Sequence, residues 1–195
     1  MKSDILIFIL TFVTLTYYVG LNKSSLNFVK HLVPVKSTID DHIYFVRDLP
    51  DKLQAANNIA IIKKNSIILV NHMFNKFKTD ETKLLKENFN ENNFIESGDN
   101  KKYTSYSINK GEKIVLCLRN KNSKDLKLVD INTMMYVTIH ELSHLMTKSV
   151  GHKKEFWDNF KLLLEEAILL KLWNKVDYKQ NPKEYCGITI SSTAV

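Results

Sequence analysis

The sequence predicts an α+β fold in which several helices accompany a small antiparallel β-hairpin or sheet, preceded by one amino-terminal transmembrane helix. Three observations lead to this prediction: an uncharged apolar run near the amino terminus, apolar residues at helical spacing in later segments, and two β-rich runs separated by turn residues. With 195 residues, of which 44% are hydrophobic and 25% charged, the chain has enough apolar material to fold. Five glycines and three prolines exclude collagen-like and loop-dominated folds.

The first element is an uncharged run from residue 5 to residue 22 that is apolar on every face of a helix. As a helix it would rise about 26 Å, which is adequate for one membrane span with some adjustment. We therefore predict an anchor over residues 1–22, with a cleaved signal peptide and a buried core helix as the alternatives. Lysines that follow the run predict a single-pass protein whose carboxy-terminal domain lies in the cytoplasm.

Residues 23–47 are predicted to be a linker, because Pro34 discourages a long helix there. The folded domain is then expected to cover residues 48–195. Its first helix is predicted over residues 50–76, since a capping carboxylate and a proline precede apolar residues at helical spacing. A shorter helix is expected around residues 83–89 of a polar, asparagine-rich stretch.

The second half of the chain begins with a predicted β-hairpin at residues 103–118, whose two β-rich runs flank the turn sequence NKGE. Asp130 is the expected cap of a helix that ends near residue 148, and Gly151 is a stop signal. A last helix is predicted over residues 154–173. A short β-prone run follows at residues 188–190.

The positive charge of the chain is dispersed and consists almost entirely of lysine. The 28 basic and 21 acidic residues give a formal net charge of +7, and only Arg47 and Arg119 are arginines. Base readout and phosphate clamps favour arginine, and nucleic-acid sites concentrate their charge. A nucleic-acid partner is therefore compatible with the net charge but not supported by its distribution. The two cysteines are expected to be unpaired, in keeping with a cytoplasmic domain.

The residues that carry chemistry are concentrated in the sequence HELSH at residues 140–144, which His152 follows. On a helix, residues four apart lie on one face, so His140 and His144 can present both imidazoles to one ion. Neutral nitrogen ligands suit Zn²⁺. Glu141 lies about 100° round the helix, where it can reach a water at the metal and act as a general base.

A third ligand is needed to leave one coordination position open for water. His152 is expected in this role, because a chain reversal at Gly151 would return it beside the histidine pair. Glu165 and Glu166 on the following helix are the alternatives. Glu141 is the only formally charged residue between residues 131 and 147. An unpaired carboxylate in so apolar a helix is costly, which favours a built site over a chance motif.

The segment HELSHLMTKSVGHKKEFW resembles the active-site signature of the WLM and SprT-like zinc metallopeptidases, in which a Gly-His pair and an aromatic pair follow HExxH. The stretches TSYSINKGEKIVLCLR, LVDINTMMYVTIHELSHLM and EYCGI are similar to uncharacterised WLM-like proteins of large DNA viruses. The resemblance covers residues 48–190 and implies a zincin-like minimal metallopeptidase. It also implies that His140, His144 and His152 bind one Zn²⁺ and that Glu141 is the general base.

The resemblance implies a zinc-dependent metalloendopeptidase that hydrolyses protein or peptide substrates with a metal-activated water. The apolar run at residues 5–22 would anchor this enzyme in a viral or host membrane. Two alternatives stay open: a protease for DNA-bound or crosslinked proteins, and a non-catalytic, zinc-stabilised viral membrane or virion protein. The hairpin at 103–118 is either a plain structural element or the sheet edge to which a substrate strand adds. Tyr185 and Tyr106 are candidates for stabilising the oxyanion. Trp157 and Phe160 are expected to pack between helices rather than line a substrate pocket.

Overall fold

The computed structural model describes residues 32–98, 104–109, 111–120 and 126–195. These residues form an α+β fold of four helices and seven short strands. The helices are α1 (Lys52–Phe77), α2 (Asp80–Asn88), α3 (Ile131–Met146) and α4 (Lys154–Leu169). The strands are β1 (Leu32–Lys36), β2 (Ile43–Arg47), β3 (Phe94–Glu96), β4 (Tyr106–Ile108), β5 (Lys113–Leu116), β6 (Lys183–Tyr185) and β7 (Ile188–Ile190).

The described strands form three small sheets instead of the single antiparallel hairpin or sheet that we predicted. Two are antiparallel hairpins, β1 with β2 and β6 with β7. The third has the order β3–β5–β4, in which β4 is antiparallel to β5 and β3 is parallel to it. The β4–β5 pair lies within the predicted hairpin, but the sheet is mixed because β3 joins it from the asparagine-rich stretch. Among the described strands, β4 lies at an edge of this sheet.

The fold class needs a second correction, since the predicted transmembrane helix has no counterpart in the described structure. Within the described ranges, no helix is both long and apolar enough to cross a membrane. The longest, α1, has 26 residues but includes Lys63, Lys64 and Lys76. The apolar run at residues 5–22 lies outside the described residues. The predicted localisation depended on that run and stays a prediction.

Residues 32–47, which lie within the predicted linker, form the β1–β2 hairpin and belong to the folded domain. Tyr44 and Val46 of β2 are buried in the hydrophobic core. The side-chain oxygen of Asn57 on α1 accepts a hydrogen bond of 3.0 Å from the hydroxyl of Ser37, which ties the hairpin turn to the helix. The folded domain therefore extends further towards the amino terminus than the sequence predicts.

The two cysteines form a disulfide between Cys117 and Cys186, contrary to the expectation that they are unpaired. Cys117 follows β5, and Cys186 lies in the turn between β6 and β7, so the bond joins that hairpin to the mixed sheet. The two residues are 69 positions apart in the chain, and both are buried. No local pattern marks such a pair, because only the folded chain brings them together. The cysteines consequently give no support to a cytoplasmic location.

Candidate active site

Three of the candidate residues, His140, Glu141 and His144, lie on helix α3. Asp130 caps the helix as predicted: its carboxylate accepts hydrogen bonds of 2.9 Å from the backbone N–H and the hydroxyl of Thr133. The hydroxyls of Thr138 and Ser143 donate to carbonyls one turn earlier, at 2.8 Å each, so they are satisfied inside the core. No residue of α3 is fully exposed, which explains why Glu141 is its only charged side chain.

The structure brings His140, His144 and His152 together. The ring centroids of His140 and His144 are 5.1 Å apart, and the ring of His152 is 4.9 Å from each of them. One ring nitrogen from each histidine lies within 4.8 Å of the other two. The Nε2 atoms of His140 and His152 are 3.0 Å apart. Three nitrogens gathered in this way could hold a metal ion and leave one coordination position open.

The loop between α3 and α4 determines the position of His152. Gly151 adopts a positive φ of 82°, a conformation that favours glycine, and so reverses the chain as predicted. The carboxylate of Glu155, in the first turn of α4, accepts hydrogen bonds from the backbone N–H groups of Lys148 and Ser149 at 3.0 and 3.2 Å. These bonds hold the loop folded over the end of α3.

The ring of Phe156 packs against all three histidines of the cluster. Its ring is fully buried, and its centroid lies 4.8, 4.4 and 4.6 Å from those of His140, His144 and His152. A single aromatic side chain therefore packs against all three imidazoles. This contact limits the rotation of the three imidazole rings. Spacing in the sequence alone does not reveal this role of Phe156.

The two glutamates considered as alternative third ligands make other contacts. The Glu166 carboxylate accepts hydrogen bonds from Lys76 Nζ at 2.6 and 2.8 Å and lies 2.6 Å from His72 Nε2. Glu165 is exposed and lies 3.9 Å from Lys161. Among the described residues, the metal-compatible cluster on α3 is completed by His152 and by neither glutamate.

Burial sets the charge states of the cluster. Burial lowers the pKa of His140 to about 3, and the neighbouring His144 and His152 contribute to the shift. Burial likewise lowers the pKa of His144 to about 4, with a further contribution from His152. Both imidazoles are therefore neutral at pH 7, with lone pairs free for a cation such as Zn²⁺. Burial raises the pKa of Glu141 to about 7, although a backbone hydrogen bond from Ser107 opposes the shift.

Two cavities meet at His140 and Glu141. The first has a volume of about 470 Å³ and is lined by residues 104–107, the three histidines and the loop at residues 149–151. The second has a volume of about 240 Å³ and extends towards α4 and β7. Residues 104 and 105, just ahead of β4, line both cavities. The carboxylate and the first histidine thus lie where the two cavities adjoin, and we refer to the two cavities together as the cleft.

The two tyrosines predicted to stabilise an oxyanion both line this cleft, on opposite sides of the junction. Tyr106 lines the larger cavity, and Tyr185 lines the smaller one. The Tyr185 hydroxyl lies 2.5 Å from the hydroxyl of Ser105, which accepts a hydrogen bond of 2.9 Å from the backbone N–H of Cys117. Burial and the nearby Glu141 carboxylate raise the pKa of Tyr185 well above its usual value. Ser105 could not be predicted from the sequence, because no motif marks it.

One aromatic residue of α4 differs from its predicted role. Trp157 and Phe160 were expected to pack between helices; Phe160 is buried in the core as predicted, and also lines the smaller cavity, whereas Trp157 is 47% exposed at that cavity. Four other apolar residues of this helix are buried in the core: Phe156, Leu163, Leu164 and Ala167. Helical spacing predicted the apolar face of α4 correctly, but it could not show that the face continues into the cleft.

Comparison with known proteins identifies similar sequences of viral origin. The family model for the WLM domain matches residues 43–192. Uncharacterised protein R325 of Acanthamoeba polyphaga mimivirus is 37% identical over 80% of this chain and 81% of its own length. Uncharacterised protein 136R of Invertebrate iridescent virus 6 is 38% identical over 42% of this chain and 44% of its own length. Among solved structures, Wss1 from Saccharomyces cerevisiae is similar over 63% of this chain and 84% of that chain, with 23% identity and a TM-score of 0.44.

Proposed function

The chain belongs to the WLM domain family and is metallopeptidase-like, and we propose that it is a zinc-dependent endopeptidase that cleaves protein or peptide substrates. The proposal is carried by one observation: three imidazoles gather beside a buried carboxylate at the junction of an open cleft. Neutral imidazoles and a nearby carboxyl group are the groups that metal-assisted hydrolysis uses.

In this proposal His140, His144 and His152 hold one Zn²⁺. Their fit to the ion is supported by the proximity of their nitrogens, within 4.8 Å of one another, and by the neutral state of the two histidines on α3. When bound, the zinc ion lowers the pKa of a water ligand towards 7 and polarises the substrate carbonyl. Phe156 keeps the three rings in place.

Glu141 acts as the general base and then as the general acid. Its carboxylate accepts a proton from the attacking water while the water oxygen bonds to the carbonyl carbon of the substrate. The same group returns the proton to the leaving amine while the carbon–nitrogen bond breaks. Burial raises the pKa of Glu141, which favours retention of the proton between the two transfers. Tyr106, which lines the larger cavity, would stabilise the negative charge on the carbonyl oxygen, whereas the hydroxyl of Tyr185 is paired with that of Ser105.

The edge strand β4 supports a peptide as the substrate. One side of β4 is paired with β5, and residues 104–107 line the cleft above the candidate site. An extended peptide could pair with the strand through main-chain hydrogen bonds, which depend little on its sequence. Such pairing would carry the scissile bond past Glu141.

The variant Glu141→Gln tests the proposal, because glutamine keeps the shape of the side chain but cannot accept the proton. We expect the rate of cleavage of an unfolded protein substrate to fall by about 100-fold or more, while the zinc content stays at one ion per chain. Rates would be measured by gel electrophoresis and zinc by elemental analysis. The control is Glu165→Gln, which alters an exposed carboxylate on α4 and should leave the rate unchanged. Cleavage by Glu141→Gln at the wild-type rate would show that the mechanism is wrong.

A further inference from the structure

The smaller cavity has a chemical character that the catalytic residues do not explain. We propose that it binds an uncharged, apolar side chain of the substrate residue next to the scissile bond, so that the protein cleaves beside residues such as leucine, phenylalanine and methionine. This inference rests on the proposed peptidase function and specifies its substrate class. It starts from the position of the cavity, which opens beside His140 and Glu141.

The cavity is lined by aromatic and aliphatic side chains together with small hydroxyl residues, namely Thr104, Ser105, Thr189, Ser191 and Ser192. Its floor is formed by the buried rings of Tyr136, Phe160 and Tyr185. Its rim includes Trp157, which is 47% exposed, and Ile188, which is 50% exposed. Large apolar side chains left partly exposed around a concave surface are typical of a binding site, since covering them removes apolar area from water.

The polar groups of the floor already have partners. The Tyr136 hydroxyl donates a hydrogen bond of 3.0 Å to the backbone carbonyl of Ser192, and the Tyr185 hydroxyl pairs with Ser105. The two tyrosines therefore present ring faces, rather than unsatisfied hydroxyls, to an incoming side chain. A hydrocarbon or aromatic group can occupy the cavity without breaking either bond.

Charge in the cavity is limited to one end. Among the residues lining it, Glu141 is the only acid, and lysine and arginine do not occur in this described set. A charged side chain entering the cavity would lose its hydration without gaining a counter-ion, except for a contact with the catalytic carboxylate itself. The lining thus excludes aspartate and glutamate and disfavours lysine and arginine.

The preference should apply to one side of the scissile bond only. The larger cavity, beyond the catalytic pair, is lined by the small or polar residues of the 149–152 loop and of residues 104–107, apart from Val150 and Tyr106. This cavity has a volume of about 470 Å³, which accommodates side chains of many kinds. The smaller cavity, of about 240 Å³, has room for one large apolar side chain. Substrate selection is therefore concentrated in the apolar cavity.

Cleavage-site profiling tests the inference directly. Mass spectrometry of a peptide library cut by the wild-type protein should show apolar residues enriched about tenfold or more, over glycine and charged residues, at one position flanking the cut.

Ile188→Trp narrows the rim of the smaller cavity and should lower the kcat/KM ratio of leucine to alanine substrates by about tenfold. The control Ile43→Trp changes an isoleucine of similar exposure on the β1–β2 hairpin and should keep the wild-type ratio. A flat wild-type profile, or an unchanged ratio in Ile188→Trp, would overturn the inference.

A binding measurement separates this inference from the peptidase function. The chain has two tryptophans, of which Trp157 lies at the rim of the cavity and Trp173 is buried. A leucine-containing peptide added to Glu141→Gln protein should change the tryptophan emission, whereas its lysine counterpart should not, and Trp157→Phe should abolish the change. Binding without wild-type cleavage would overturn the peptidase function but support the pocket. Cleavage with neither apolar preference nor an emission change would overturn the pocket alone.

Discussion

Glu166 is a carboxylate that joins α4 to α1. Its side chain is 9% exposed and contacts Lys76 and His72, both on α1. Burial raises the pKa of Glu166, but the hydrogen bonds from Lys76 and His72 outweigh that effect and hold the pKa below its usual value. The charged form is therefore favoured in the folded state, and the helix that follows the histidine loop is fixed to the longest helix of the domain.

Substitution Glu166→Gln should destabilise the domain by about 1–3 kcal/mol at pH 7, because it removes charge-assisted hydrogen bonds. Since the folded-state pKa lies below the unfolded value of about 4.5, the stabilisation is present above that pH and is lost as the pH falls through the lower value. The difference in the free energy of unfolding between variant and wild type should thus shrink as the pH falls below about 4.5, as urea unfolding at each pH would measure. The exposed neighbour provides the control, Glu165→Gln. A difference that is equally large at low pH would contradict this account.

The residues that could be predicted from sequence are those whose chemistry depends on local spacing. His140, Glu141 and His144 share one helical turn, so their proximity follows from the helix itself. The place of His152 depended on one chain reversal, at Gly151. Ser105 and Tyr185 are 80 positions apart and meet only because β4 and the β6–β7 hairpin flank the same cleft. No pattern within either segment contains that information.

At the scale of secondary structure, the end of α4 shows how tertiary packing overrides apolar spacing. The helix was predicted to reach residue 173 but ends at Leu169. Beyond it, Lys171 adopts a positive φ of 57°, and the backbone N–H of Leu172 bonds to the carbonyl of Ala167 at 2.9 Å. This closure turns the chain so that Trp173 is buried in the core. Glycine usually occupies such a position, and the lysine here gave no stop signal.

The variant Lys171→Gly should stabilise the protein, because glycine adopts a positive φ without the steric cost that a side chain incurs. Allowing for the greater freedom of glycine in the unfolded chain, we expect a gain of about 0.5–1 kcal/mol and a Tm rise of about 1–4 °C by calorimetry. Lys171 is exposed, so no packing is lost. Lys171→Ala keeps the Cβ atom and should leave the Tm close to wild type. Equal Tm changes in both variants would contradict the proposed role of backbone conformation.

The strands were harder to predict than the helices. β3 has three residues, and its partner β5 lies about twenty residues later in a parallel arrangement, so neither length nor alternation marks it. Its Glu96 is 1% exposed and accepts a hydrogen bond of 2.7 Å from the backbone N–H of Arg47. Buried Arg119 also contacts Glu96, at 2.9 Å. The strand is thus held by long-range charge contacts, which local propensity does not encode.

At the scale of the whole molecule, the disulfide connects the two parts of the chain that form the cleft. Cys117 follows the mixed sheet, and Cys186 is adjacent to Tyr185 on the β6–β7 hairpin. The hairpin has only two strands of three residues each, which is too short for independent stability. The covalent bond therefore fixes one wall of the apolar cavity to the sheet that carries β4.

Reducing this bond should lower the stability of the whole domain. Closing a loop of 69 residues restricts the unfolded chain, and its loss should cost about 4 kcal/mol in the free energy of unfolding. For a domain of this size we expect the Tm of the wild type to fall by about 8–16 °C in dithiothreitol. The double variant Cys117→Ala, Cys186→Ala should have a low Tm that the reductant does not change. Mass spectrometry would verify that the reduced wild type has two free thiols. If this reduced protein kept its Tm, the disulfide would not stabilise the domain. Packing alone would then hold the hairpin in position.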